Sequence, residues 1–531
     1  VSDGSVDVWV ELPRAGLVRV GSLRPSFQGA RNLAAASFVY DDEYLDLPDA
    51  FAISPDLPLR PGRLLTDDRH EIFGAFSDAS PDEWGQKIID VNHEIRRARE
   101  PSLAKRLGAF DYLVGVSDHA RAGALRLRDP STRAWLADDE GVANHYDLDR
   151  VVTAARRYEA NEATPDDLAY LGDIATSPGG ARPKANVVTA ADRLGIAKLP
   201  HSKDGRIDVE RWEALALDLA ELCGIRTPPR AVYPTGDDKS VLVLERFDRT
   251  AEGGRIPYIS GATALGLGRY DDRRVNYREF TDVIVDLCED SATELREMFT
   301  RVALTVLISN VDDHWRNHGF LRVEGRWMLS PVFDINPSRG SSVRSRAISD
   351  DDDPFDRDIA HLLEIASAFR LGAREGAAII DRVARVVETW PDIATELAIP
   401  ESQQELMRPA FDPAQLARIR QIADSLLVDA EPGPRVGKAA ALDRLGALLD
   451  RRYELGVGSS VPSAVFDDAA RRAGVATGGT MPERAQRVVE AAGLPWDATF
   501  DSRNSPSGGG STVTLAGLER LIDALEIHLG A

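Results

Sequence analysis

The segment SNVDDHWRNHGFL, Ser309 to Leu321, follows an apolar stretch and gathers two aspartates, two histidines, an arginine and two asparagines. Charged groups set against a core cost free energy unless they are paired or used. Asp312 and Asn317 stand five residues apart in this loop, and Asp334 comes after a pair of short strands. Phosphoryl transfer needs these side-chain types. One carboxylate accepts the proton of the attacking hydroxyl, while an amide oxygen and a second carboxylate hold the magnesium ions that neutralise the phosphates of ATP. The protein-kinase pattern has the same order: an Asp, an Asn five residues on, and a metal-binding Asp beyond a short hairpin. Here the last gap is 17 residues, and the final motif is Asp-Ile-Asn rather than Asp-Phe-Gly. Loop caps and turns also produce such a set, so the upstream segments decide.

A kinase places a lysine on a strand to reach the phosphates and a glutamate on a helix to orient it. Only seven of the 64 basic residues are lysines, which makes each lysine in a notable place informative. Lys198 lies in LGIAKLP, an apolar strand where a lysine is unfavourable unless its head reaches solvent at the strand end. Glu213 on the next helix is its candidate partner, with Glu210 and Glu221 as competitors. Before the strand, SPGGARPK carries Gly179 and Gly180, which let backbone N–H groups approach phosphates closely, although a glycine pair is also an ordinary turn. LVLERFDR ends a strand in Glu245-Arg246-Phe247-Asp248, where a kinase hinge runs. Backbone groups there would bind adenine, with Phe247 near the ring. Loop, lysine strand, helix, hinge strand, catalytic loop and metal aspartate occur in the order of a kinase fold.

The elements that must position these groups follow from hydrophobic periodicity. VDVWVEL, LVRVGSL and ASFVYDDEYL read as strands, and a helix starts at the Ser-Pro-Asp-Glu signal of SPDEWGQKIIDVNHEIRRARE. Helices follow around 147–170, and DVERWEALALDLAELCGI is a further helix. From Ser291 to Asn310 the pattern is an amphipathic helix, with Ser291 and Glu294 as a capping-box signature. GFLRVEGRWMLSPVFDI reads as two strands joined at Glu324-Gly325, and helices dominate from about 357 to 428.

The chain of 531 residues exceeds what one core supports, and 43% hydrophobic with 28% charged residues reads as soluble and globular. It has no apolar run of membrane-spanning length and no leader-like start, so the expected location is the cytoplasm. Cys223 and Cys288 are too few for a disulfide framework or a thiolate metal site. A formal charge of −22 argues against general affinity for nucleic acid.

The motifs SPGGARPKA, AKLP, LERFDR, NVDDHWRNHGFL and LSPVFDINPS resemble the HipA family of bacterial toxin serine/threonine kinases. FGAFSDASPDEWGQKII and GAFDYLVGVSDHARAGALRL are similar to that family's N-terminal subdomain, so the resemblance covers roughly residues 5–425. It implies an α+β, protein-kinase-like two-lobed fold, β-rich in its N-terminal part and mainly helical in its C-terminal lobe. It also implies ATP and Mg2+ as cofactors. Asp312 then matches the catalytic base, Asn317 and Asp334 the metal-binding residues, and Lys198 the ATP-phosphate lysine. Glu245 and Phe247 match adenine-side positions, and His314 falls in the catalytic-loop motif as a partner for Asp312. Ser177 matches a loop serine whose autophosphorylation accompanies inactivation; about two added negative charges in an ATP-phosphate site would act as an off-switch.

Family members act with a small helix-turn-helix antitoxin of the HipB kind, and their substrates include aminoacyl-tRNA synthetases. The resemblance therefore implies a HipB-like antitoxin as partner, DNA contact only through it, and no membrane. The sequence departs from its relatives at Asp313, a second carboxylate that would perturb Asp312 or face solvent. It departs also at Trp315-Arg316, where relatives often carry a small residue and a lysine. Two other readings stay open: a small-molecule kinase on the same scaffold, and a catalytically silent kinase-like regulator acting through protein or DNA binding. The expected organisation is an N-terminal subdomain at 1–130, a catalytic region at 131–428, a linker at 429–440 and an extra α/β module at 441–531. That last module resembles nothing familiar. Its helices and glycine-rich hairpin fit a winged helix, but nine acidic residues against six arginines over 461–531 favour protein interaction over DNA binding.

Overall fold

The computed structural model describes residues 4–12, 14–28, 32–138, 141–175, 182–268, 273–339, 347–353, 358–411 and 415–421. The chain divides into two units, Val1–Val387 with Leu397–Arg420, and Glu388–Glu396 with Gln421–Ala531. Of the second, the described part is the helix Trp390–Glu396 with its neighbours Glu388 and Thr389, and Gln421. The linker at 429–440, the module at 441–531 and its winged-helix reading lie outside the described residues. All that follows concerns the first unit, a mixed α+β structure.

The N-terminal sheet has five antiparallel strands in the spatial order Arg63–Leu65, Asn32–Tyr40, Gly16–Gln28, Val6–Leu12, Arg126–Arg128. Val6, Val8, Val10 and Leu12 all point to one buried face, the two-residue period expected of a half-buried strand. They pack with Phe38, Tyr40, Phe73 and Phe76 into one core. DDEYL does not continue its strand as the alternation suggests. Asp42–Leu45 is a helical turn that begins after extended Asp41, has Asp42 and Glu43 at its start, and buries Tyr44. The helix Glu83–Arg99 begins where its start signal predicts, capped by Asp82, which accepts a hydrogen bond from the Gly85 N–H at 2.6 Å.

The second sheet orders Ala143–Asn144, Lys184–Val188, Leu194–Lys198, Ser240–Glu245 and Arg230–Pro234, antiparallel except for its first pair. Lys184 and Lys198 are direct cross-strand partners, so their side chains leave the same face. The helix Val209–Leu222 buries Trp212, Leu215 and Leu219.

The helix Ser291–Leu307 is the core of the mainly helical part, and 13 of its residues are buried. Its cap differs from the expected box. Asp290 is the N-cap and accepts from the Thr293 N–H, while Ser291 is already helical and its hydroxyl accepts from Arg370 at 3.0 Å. Glu294 does not reach back to a cap; it takes the Leu329 N–H at 2.9 Å and the Arg226 guanidinium. A buried carboxylate facing an arginine binds it in preference to a solvated backbone group. The helix stops at Ser309, whose φ of 52° is left-handed. The strands Gly319–Val323 and Arg326–Leu329 then form a hairpin with Glu324 and Gly325 at φ 50° and 82°, the pair of left-handed residues a two-residue turn requires.

Candidate active site

The Ser309–Leu321 loop alternates its residues between core and cavity. Asp313 and Trp315 turn inward, 2% and 1% exposed, whereas Asp312, His314 and Arg316 line a cavity of about 680 Å³. Trp315 stacks on Phe280 with ring centroids 4.6 Å apart. Asp313 takes the Tyr277 hydroxyl and His318 Nε2, the latter at 3.0 Å. Asp313 is therefore a buried anchor, and the expectation that it faces solvent is corrected. Tyr277, from a preceding helix, and His318, five residues on in the same loop, fix this inward aspartate, which leaves its neighbour Asp312 outward and exposed. The short 3-10 turn Trp315–Asn317 sets the amide: Asn317 Nδ2 donates to the Asp312 carbonyl at 3.0 Å, so its oxygen is the group left to accept a cation or donor.

Lys198 is the centre of the site. Its ammonium contacts Glu213 Oε1 at 2.6 Å and Asp334 Oδ1 at 2.6 Å. Burial works against its charge, but Asp334 and Glu213 outweigh burial and raise its pKa above the usual lysine range. At Asp334 burial is likewise overcome, by Lys198 and then Lys184, and the carboxyl is held down to about 2, with His314 adding to the effect. At Glu213 burial outweighs Lys198 and raises the pKa. The competing glutamates have other partners: Glu210 holds Arg182 at 2.6 Å, and Glu221 holds Arg230 at 2.7 Å. Asp334 sits at φ 57°, a left-handed backbone costing about 1–3 kcal/mol for a non-glycine residue. Strain of that size persists where surrounding contacts fix the conformation, here the Lys198 ion pair.

The hinge segment leaves Glu245 half-buried on the cavity wall, with its carboxyl pKa raised by burial. The N–H groups of Glu245 and Arg246 donate to the carbonyls of Pro229 and Leu194 at 2.9 Å, so these two donors are not available for the adenine contact expected of the hinge backbone. Phe247 lines the cavity and packs on Phe333, the residue before Asp334, with centroids 5.4 Å apart. Ser177, Gly179 and Gly180 lie outside the described residues. Every other sequence-predicted site residue, Asp312, His314, Asn317, Asp334, Lys198, Glu213, Glu245 and Phe247, lines this one cavity.

Sequence reasoning missed Lys184, Asp82 and Asp78. Lys184 is buried and contacts Asp82 at 3.0 Å, the residue that also caps the Glu83–Arg99 helix. Its signal was present in the scarcity of lysine, but its partner lies far earlier in the chain. Asp78, at the end of the short helix Gly74–Asp78, accepts from the Ser260 N–H and hydroxyl, both at 2.7 Å. The N-terminal region thus supplies part of the site's wall.

Among the described residues no group of three or more His, Cys, Asp or Glu side chains is arranged to hold a metal ion alone. The donors present, the Asn317 amide oxygen and the ionised Asp334 carboxylate, are hard oxygens. They fit magnesium, which takes one or two protein oxygens and completes its shell with phosphates and water.

A strand lysine paired with a helix glutamate, facing an Asp–Asn–Asp set across one cavity, is a kinase-like arrangement. Family comparison agrees: the HipA N-terminal domain matches residues 15–113, and the HipA-like C-terminal domain matches residues 176–390, together more than half of the chain. The chain belongs to the HipA family. Among solved structures it is similar to HipA in the Shewanella oneidensis MR-1 toxin–antitoxin complex of HipA, HipB and operator DNA. That match has TM-score 0.50 and 17% identity and covers 80% of this chain and 96% of that one. A second similar structure is the Helicobacter pylori proinflammatory kinase CtkA, with TM-score 0.32 and 15% identity over 48% of this chain and 94% of that one. No curated protein matches the chain by sequence. Among the described residues no helix is long and apolar enough to cross a membrane.

Proposed function

We propose that the protein is an ATP- and magnesium-dependent serine/threonine protein kinase of the HipA toxin type. The observation that carries this reading is Lys198 bridging Glu213 and Asp334 in the cavity that Asp312 and Asn317 also line. Glu213 orients the Lys198 ammonium so that it meets phosphate oxygens, and Asp334 stays ionised as a metal ligand with Asn317. Asp312, outward and exposed, accepts the proton of the acceptor hydroxyl. Magnesium, when bound, supplies charge neutralisation at the phosphates. Phosphorylation of Ser177 would set about two negative charges in the segment leading to Lys184 and compete with ATP there.

The acceptor is a protein hydroxyl, with translation components such as aminoacyl-tRNA synthetases as the class the family resemblance brings. A HipB-like antitoxin is the expected partner, since the Shewanella relative is described with HipB and operator DNA. The charge of −22 fits DNA contact through the antitoxin rather than directly, and the cytoplasm is the corresponding location.

The test is transfer of radiolabelled γ-phosphate from ATP in a bacterial lysate, with wild-type protein and Asp312→Asn. Label should enter protein, and the Asp312→Asn variant should lose about 10²–10⁴-fold in rate while keeping Mg-ATP affinity. Label confined to the small-molecule fraction would replace the protein acceptor with a metabolite.

A further inference from the structure

Negative charge on the phosphoryl group in flight is spread over its non-bridging oxygens, and a cation aimed at them lowers the barrier. Most arginines and lysines lining the cavity are already matched. Among the described residues, Arg69, Arg182, Lys184, Lys198 and Arg246 each hold a carboxylate oxygen at 3.0 Å or closer. Arg316 differs. Among the described residues its ion-pair partner is Asp78, with Oδ1 at 3.8 Å, beyond hydrogen-bonding distance, and its side chain is 48% exposed. Both Asp78 oxygens are engaged by Ser260, one by its N–H and one by its hydroxyl. Asp78 is close enough to attract the guanidinium electrostatically, and no hydrogen bond joins the two.

The backbone around Arg316 is fixed. It lies on the Trp315–Asn317 turn, between the exposed Asp312 and the metal-binding amide of Asn317, with Trp315 buried against Phe280. Asp78 comes from the N-terminal region and is itself buried. The geometry points to Arg316 as a further catalytic residue, one that contacts the transferring phosphoryl group and is held over the cavity by Asp78. This rests on the kinase reading above.

In the step, the acceptor hydroxyl oxygen bonds to the γ-phosphorus as the bond from that phosphorus to the β,γ-bridging oxygen breaks. ADP leaves with the electron pair, and the acceptor's proton passes to the Asp312 carboxylate. The planar guanidinium fork meets two phosphoryl oxygens at once, which a lysine ammonium does as a single point charge.

The test uses the full-length protein as wild type, Arg316→Ala, Arg316→Lys, Asp78→Asn and the Arg316→Ala/Asp78→Asn double variant. Calorimetry gives Mg-ATP and Mg-ADP affinities, and transfer kinetics give kcat. Arg316→Ala should keep its melting temperature and Mg-ADP affinity, bind Mg-ATP several-fold more weakly, and lose about 10²–10³-fold in kcat. Arg316→Lys should recover part of that loss. Asp78→Asn should lower kcat, and the double variant should be no slower than Arg316→Ala. Wild-type kcat and ATP-to-ADP preference in Arg316→Ala would overturn the catalytic role, and additive losses would overturn the part given to Asp78. A wild-type protein that fails to bind Mg-ATP would instead overturn the kinase reading itself.

Discussion

Lys184 and Lys198 face each other across neighbouring strands, an arrangement that repels unless each charge is answered. Each is answered from a different element: Asp82 at a helix cap, Glu213 within a helix, and Asp334 in a strained loop position. Removing Lys198 leaves the buried Glu213 and the part-buried Asp334 carboxylates without their shared cation, so Lys198→Met is expected to cost about 3–5 kcal/mol at neutral pH. Without Lys198 the folded-state pKa of Glu213 rises further above its unfolded value, and Asp334 loses the cation that holds its own down. The variant's stability then falls as pH rises, and its deficit in urea unfolding should be smaller at pH 5 than at pH 8. Lys198 was legible in the sequence because a lysine inside LGIAKLP has no bland use apart from reaching solvent. Glu213 was only one of three candidates, because the rotation of a helix against a sheet is set by packing that no local pattern records. Lys184 was hidden by the distance of Asp82 along the chain.

The helix Ser291–Leu307 and its following loop show where local rules were sufficient and where tertiary contacts displaced them. Leu295, Met298, Phe299, Val302 and Val306 are buried as their spacing requires. The capping signature misassigned its start by one residue, since Ser291 and Glu294 serve Arg370, Arg226 and the Leu329 N–H instead. Asp290→Ala should therefore cost about 0.5–2 kcal/mol by loss of the cap. Glu294→Ala should cost more, because it leaves the buried Leu329 N–H without its acceptor and Arg226 without one of its carboxylates. Thermal unfolding of the two variants ranks them, and the reverse order would restore the capping box. The hairpin turn at Glu324-Gly325 was fully legible, because a two-residue connection needs left-handed residues and glycine supplies one. The inward turn of Asp313 was not, because Tyr277 and His318 reach it from a helix and a strand end.

On the scale of the whole first unit, the N-terminal region is built into the wall of the candidate active-site cavity. Beyond Asp78 and Asp82, it meets the hinge through Asp248, which holds Arg246 at 2.5 Å, Arg249 at 3.0 Å and the Gly123 N–H at 2.7 Å. Arg246 in turn donates to the carbonyls of Ala120 and Arg121. Burial opposes the Asp248 charge, but Arg246 and Arg249 hold its pKa below the usual carboxylate range. The stability it contributes is complete above the ordinary aspartate pKa and is lost as pH falls through the lowered value. Asp248→Ala should destabilise the unit by about 3–5 kcal/mol at pH 7, because it leaves buried arginines unpaired. It should also open segment 117–128 to hydrogen exchange. Unchanged protection there would show that the N-terminal region docks by other contacts. The order of kinase parts was readable along the chain. The contribution of a preceding region to the same cavity was not, because contacts between distant segments leave no period or spacing in either.

The proposed function requires phosphoryl transfer from ATP by Asp312, Asn317, Asp334 and Lys198. Its most direct measurement is the mass of the purified protein, intact and after digestion, following incubation with Mg-ATP, beside Asp312→Asn and beside a calorimetric titration with Mg-ATP. Both proteins should bind Mg-ATP saturably, and one added phosphate should appear on the Ser177 peptide of the wild type alone. Absence of both binding and phosphate in the wild type would contradict it.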